Sequence, residues 1–149
     1  MHALAAVGVG FLLSVLWFDL MFDVQARGHG PGDLPVEVRD SIAAYYRRVT
    51  TTARPMNRLV AAAMLATLGG LIGEIVRHDV RAWAAWASLA LASFGIGLAA
   101  ARTVRNAVRL GGQADAAGAQ SALARSVLRD HILCFVAIAC TLILQVAVS

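Results

Sequence analysis

Apolar residues gather in four blocks, Ala3 to Phe22, Leu59 to Val76, Ala82 to Ala101 and Ile132 to Val148, with polar stretches between them. About 20 apolar residues at 1.5 Å rise per residue cover roughly 30 Å of hydrocarbon, and each block is close to that length. The first block contains one charge, Asp19, the second contains Glu74, and the other two contain none. Only Met1 and His2 precede the first run, neither of them basic, so the pattern predicts a retained helix rather than a cleaved leader. The chain as a whole predicts an all-α polytopic membrane protein. It is a single domain over residues 1–149, with four transmembrane helices in a bundle (spans 3–22, 59–76, 82–101 and 132–148) and long loops at 24–58 and 102–131.

The polar stretches carry patterns of their own. In the first loop a turn-rich run, Arg27-Gly28-His29-Gly30-Pro31-Gly32-Asp33, leads into a segment from about Leu34 to Thr52. There Val38, Ile42, Tyr45 and Val49 recur at helical spacing, with arginines on another face. This predicts an amphipathic interfacial helix capped by Asp33, lying on the leaflet or packed on the ends of the bundle. In the third loop, helical character continues through Val108 and Leu110 and is expected to stop at Gly111-Gly112. A second helical stretch, Gln120 to Leu128, feeds the fourth span. Close helix approach in lipid favours small residues four apart, which marks Ala6, Gly10 and Ser14, the Gly69/Gly73 ridge, and Ala84, Ser88 and Ala92 as packing faces.

Hydrophobic residues make up 59% of the chain, above the roughly 45–50% of a soluble domain. All 13 basic residues are Arg, and 11 of them fall in the two long loops; only Arg77 and Arg81 lie in the turn between the second and third spans. Basic residues are retained on the cytoplasmic side. The long loops are therefore expected in the cytoplasm of a bacterial inner membrane, with both termini extracytoplasmic. The net charge of +4 is then explained by anionic lipid headgroups, and nucleic acid is not expected as a partner. Cys134 and Cys140 lie six residues apart in one span and cannot bridge each other.

Ionisable groups inside a bilayer are costly and mark either a function or a buried pair. Asp19 and Asp23 share one helix face at i, i+4, and two like charges there need Arg58, Arg129, His131 or a cation between them. With Asp130, these residues form a candidate ion or proton site at the cytoplasmic side, and carboxylate plus imidazole donors make a divalent metal possible. Asp19, the deeper carboxylate, is expected to matter more than Asp23. Glu74 and His78, also at i, i+4, form a secondary candidate pair. No phosphate loop, metalloprotease or nucleophile-elbow motif is present.

The layout resembles the anthrone-oxygenase-like four-helix membrane family: a Gly/Ala-rich first helix, a long first loop, Asn106 in the third loop and His131 at the fourth helix. That resemblance implies a membrane-embedded enzyme, oxygenase- or oxidoreductase-like, acting on a lipophilic substrate. The membrane glutathione-transferase pattern is not met, since Arg54-Pro55-Met56-Asn57-Arg58 lacks an acidic partner. The residues themselves point first to a small membrane protein, homo-oligomeric or joined to a partner membrane subunit, that handles an ion, a proton or a small solute. A non-catalytic assembly subunit is a third reading. Transport requires a polar path through the bundle, whereas an enzyme requires an apolar pocket beside His131.

Overall fold

The computed structural model describes residues 1–52 and 54–147, the side chain of Arg54 excepted; Val148, assigned above to the last span, lies outside the described residues. No strand occurs among the described residues, and the helices are α1 (His2–Asp23), α2 (Val36–Arg47), α3 (Arg54–Arg77), α4 (Ala82–Leu98), α5 (Val104–Gly112) and α6 (Ala117–Ala147). Four helical stretches are long and apolar enough to cross a membrane: His2–Ala26, Pro55–Arg77, Ala82–Gly112 and Ala117–Ala147. Large apolar side chains point outward on each of them, among them Val7 and Leu65, both 72% exposed, and Trp83, Trp86, Ile143 and Val146. A water-soluble domain does not leave such a surface on every helix; lipid is the solvent that accommodates it.

The four spans form a ring. α1 packs on α3 and α6, and α4 packs on the same two helices, so α1 faces α4 and α3 faces α6 across the diagonals. Small residues set the close contacts, though not always those expected. A Cβ added to Gly70 would stand 2.9 Å from the Ala5 backbone nitrogen, and one on Gly73 would run into the Met1 side chain, while Gly69 meets nothing within 4 Å. On α1 the buried face is Ala5, Gly8, Val9 and Leu12. The stripe Ala6, Gly10 and Ser14 is one residue out of phase: a Cβ added to Gly10 would meet nothing within 4 Å, and Ser14 is exposed. The α4 face is as expected, with Ala84, Ser88 and Ala92 fully buried and Gly95 seated against Ala137 and Ile138 of α6.

The third loop is almost entirely helical. A π-helical turn at Ala99–Thr103 joins α4 to α5, Gln113 closes α5 in the left-handed conformation, and α6 begins by Ala117. Onto these extensions folds α2. Its buried residues Ile42 and Tyr46 pack with Leu110 and Val127, and Gly111 lies so close that an added Cβ would be 2.7 Å from the Arg47 nitrogen. The amphipathic helix therefore packs on the ends of the bundle, where water drives apolar burial. Asp33 does not cap it: Pro35 occupies the cap position and no side chain bonds there. The preceding strap is held instead by Leu34 N–H donating to Ser121 Oγ (2.9 Å) and by Arg125 donating to the Gly30 and Gly32 carbonyls.

Candidate functional site

At the end of the bundle where α2 sits, α1 and α6 run antiparallel and bring Asp19, Asp23 and His131 together. His131 Nδ1 donates to Asp23 Oδ2 at 2.6 Å, and Nε2 stands 3.8 Å from Asp19 Oδ2, so the two ring nitrogens are turned toward the two carboxylates of the i, i+4 pair. That spacing is what allows one ring to serve both, because a single helical turn separates the carboxylates by about 5.4 Å along the axis. Each carboxylate has a second partner from α2: Tyr45 Oη donates to Asp19 Oδ1 at 2.7 Å, and Tyr46 Oη donates to Asp23 Oδ1 at 2.6 Å. The Tyr45 ring stacks on Phe22 with centroids 4.0 Å apart. The tyrosines were visible in the sequence only as an amphipathic stripe; nothing in their spacing linked them to carboxylates more than 20 residues away.

Asp23 is wholly buried, whereas the Asp19 side chain keeps 16% of its exposure. Within the bundle, then, Asp23 is the more enclosed of the two. α2 folds back over the end of α1, which seals the outer carboxylate while leaving the deeper one at a helix boundary. Arg58 and Arg129, expected as counter-charges, are exposed and make no ion pair with either carboxylate. Asp130 belongs to a neighbouring pair on another face of α6: it is 1% exposed and stands 2.8 Å from Arg102 Nη2, which also donates to Ser126. Its second oxygen has no hydrogen-bond partner among the described residues. Asn106 is bonded to Ser126 at 3.4 Å and stays outside the His131 network.

Among the described residues, no group of three or more His, Cys, Asp or Glu side chains is arranged to hold a metal ion. The reason is geometric. The imidazole lies between its carboxylates with both nitrogens engaged, so the donors do not converge on one point. The arrangement suits proton transfer instead, with a ring that can carry a proton toward either carboxylate and two phenols that donate to them.

The chain's two tyrosines are both in this site. Burial first, and the facing carboxylates second, push the Tyr45 phenol far above its ordinary value and raise Tyr46 likewise. Both should therefore stay neutral donors in the folded protein as pH rises past about 10, while the unfolded chain ionises there. With the folded value above the unfolded one, this stability is fully present below about pH 10 and is lost as pH climbs toward the folded values. Ultraviolet titration is expected to show no phenolate in the native protein until alkaline unfolding begins, then both tyrosines at once. Phenolate appearing near pH 10 without unfolding would contradict this geometry.

The opposite end of the bundle holds a second polar knot. Glu74, wholly buried, accepts from His2 Nδ1 at 3.0 Å and from Gln145 Nε2 at 3.0 Å, and Gln145 Nε2 lies 3.4 Å from Ser88 Oγ. Each of the four spans contributes one member. His78 is exposed, in a left-handed backbone conformation that ends α3, so the expected Glu74–His78 pair does not form and His2 takes its place. Between the two knots the core is mainly apolar, with Ala5, Val9, Leu12, Leu71, Ala92 and Ile138, and its buried hydroxyls, Thr67 and Thr141, donate to carbonyls of their own helices. An apolar groove lined by Leu13, Ser14, Trp17, Phe18 and Phe135 runs along the outer side of the α1/α6 contact, with the Trp17 and Phe135 rings 6.2 Å apart. Cys134 and Cys140 are both free thiols. No family model, no curated protein and no solved structure matches the chain.

Proposed function

We propose that this protein is a membrane-embedded acid–base centre that takes up and returns protons at Asp19, Asp23 and His131. The site lies on the arginine-rich, cytoplasmic side of a bacterial inner membrane, and both termini are extracytoplasmic. The observation that carries the reading is the imidazole turned toward two carboxylates one helical turn apart, each also held by a phenol. Interfacial anchors do not need such a network; a carboxylate at a helix end is satisfied by water. The ion and solute forms of the reading draw less support, because the core between the polar ends is mainly apolar and its two buried threonine hydroxyls are bonded to their own helices.

The rate of dye-monitored proton exchange by the solubilised protein tests this. Groups that pass a proton along one network lose that rate together when any member is removed. Asp19→Asn, Asp23→Asn and His131→Gln are thus each expected to remove about as much as the triple variant, a pattern known from catalytic groups that act together. Losses that simply add, residue by residue, would sink the reading.

A second reading is favoured by the groove. It lies on the two helices that carry the site, and Phe135 is one turn from His131, so a lipophilic substrate arriving from the bilayer would reach the α1/α6 contact first. In that case the protein is an oxidoreductase- or oxygenase-like enzyme, with His131 and Asp19 as its acid–base pair.

A further inference from the structure

A site that exchanges protons must meet water or a substrate, and the Asp23–His131 half of this one meets neither in the closed structure. Asp23 is 0% and His131 6% exposed, whereas Asp19 keeps 16%, and neither the hollow beside Asp40 and Gln113 nor the groove beside Trp17 and Phe135 is lined by any of the three. Three of the elements around the cluster, α1, α6 and the α4–α5 continuation, belong to spans fixed along their length in the bundle. The fourth, α2, is a helix of 12 residues that supplies both phenols. It is bounded by Pro35 on one side and by a π-helical turn, Arg48–Thr52, on the other. The strap before it is pinned at Gly30, Gly32 and Leu34, so movement is confined to α2 itself. Its seat on the bundle rests on three buried residues, Ile42, Ala43 and Tyr46, with Val38 and Tyr45 partly buried beside them and its backbone close to Gly111. Its outer polar contacts, Gln113 to Asp40 and Arg47 to Gln113, are solvent-exposed and cheap to break.

We infer that α2 is a lid over the Asp19–Asp23–His131 site, pivoting between Pro35 and the Arg48–Thr52 turn, and that the Asp23–His131 pair exchanges with its surroundings only when this helix lifts. Lifting withdraws both tyrosine donors together, because consecutive residues of one helix reach carboxylates one turn apart on another. Opening therefore exposes the carboxylates and removes their hydrogen bonds in a single motion. Partial opening of a short helix is the kind of local event native proteins undergo well below their global stability. The lid rests on the reading of the cluster as a working site, but its test does not pass through proton counting.

The probe is a membrane-permeant carbodiimide, with labelled carboxyl groups located by mass spectrometry in a background carrying Cys134→Ala and Cys140→Ala. Asp40→Cys with Gln113→Cys, joined by a short reducible thiol cross-linker, ties α2 to the end of α5 without touching the site. The cross-link is expected to slow labelling of Asp23 about tenfold or more, with recovery on reduction, since labelling follows the open population. Ile42→Ala, which loosens the seat but does not contact either carboxylate, is expected to speed it several-fold. Glu74 at the far end serves as the internal reference. Labelling of Asp23 that ignores both changes overturns the lid, and so does labelling of Glu74 that changes in step with Asp23, because the whole bundle would then be opening. Proton exchange that is intact and cooperative beside unchanged labelling would refute the lid alone and leave the acid–base reading standing.

Discussion

Replacing His131 by alanine is expected to cost the fold about 3–5 kcal/mol, the loss typical when one partner of a buried charge pair is removed. Asp23 has no water to fall back on: it is wholly buried, and Tyr46 alone would remain bonded to it. The exposed side chains of Arg58 and Arg129 make no pair with it in the native arrangement. Adding Asp23→Asn to His131→Ala is expected to recover part of the loss, since an amide does not carry the charge that burial penalises. Unfolding in mixed micelles of increasing denaturing detergent measures all three variants. A His131→Ala protein within about 1 kcal/mol of the parent would show that the carboxylates do not depend on the ring. On the same logic Asp23→Asn should alter stability more than Asp19→Asn, whose side chain already reaches the helix boundary.

Two adjacent glycines give the second large effect, with opposite outcomes one residue apart. Gly70→Ala places a methyl group 2.9 Å from the Ala5 nitrogen and 3.1 Å from its Cα, and backbone cannot turn aside as a flexible side chain does. α1 and α3 must separate there, at a cost of about 1–3 kcal/mol typical of overpacking and at the upper end for a backbone clash. Gly69→Ala meets nothing within 4 Å and gains helix propensity, so it should be neutral or stabilising by about 0.5–1 kcal/mol. Equal stability of the two variants in the same detergent assay would mean that α1 and α3 do not pack as described.

The same pair shows what a sequence can and cannot convey. Four spans were legible because hydrocarbon imposes one length on every crossing, and His131 was legible as a neighbour of the first helix because carboxylates in lipid must find a partner. The phase of α4 was legible too, from Ala84, Ser88 and Ala92, but the phases of α1 and α3 were not. Gly69/Gly73 and Ala6/Gly10/Ser14 are credible packing stripes by spacing, yet the ring of helices uses Gly70 and Gly73 on α3 and Ala5 and Gly8 on α1. In an Ala-rich helix that is apolar all round, the sequence offers little to tell the buried face from the lipid face. The burial of Glu74 was not legible either: its partners His2 and Gln145 are some 70 residues away in the chain, and local spacing pointed to His78 at the membrane edge instead. The enclosure of Asp23 was not legible, because depth along α1 says nothing of the cover that α2 supplies. Helical periodicity found α2 without saying which way its tyrosines would reach.

Both polar knots join the earliest helices to the latest one: Asp19 and Asp23 of α1 await His131, and Glu74 of α3 awaits Gln145, both on α6. Spans enter the membrane in chain order as they are synthesised, N-terminal elements first. Until α6 arrives, the growing chain therefore holds three carboxyl groups with only part of their final partners: Tyr45 and Tyr46 of α2 for Asp19 and Asp23, and His2 of α1 for Glu74. The last helix does more than complete a ring: its arrival gives each of these half-served acids its remaining partner, at a depth where an unmet charge is costly.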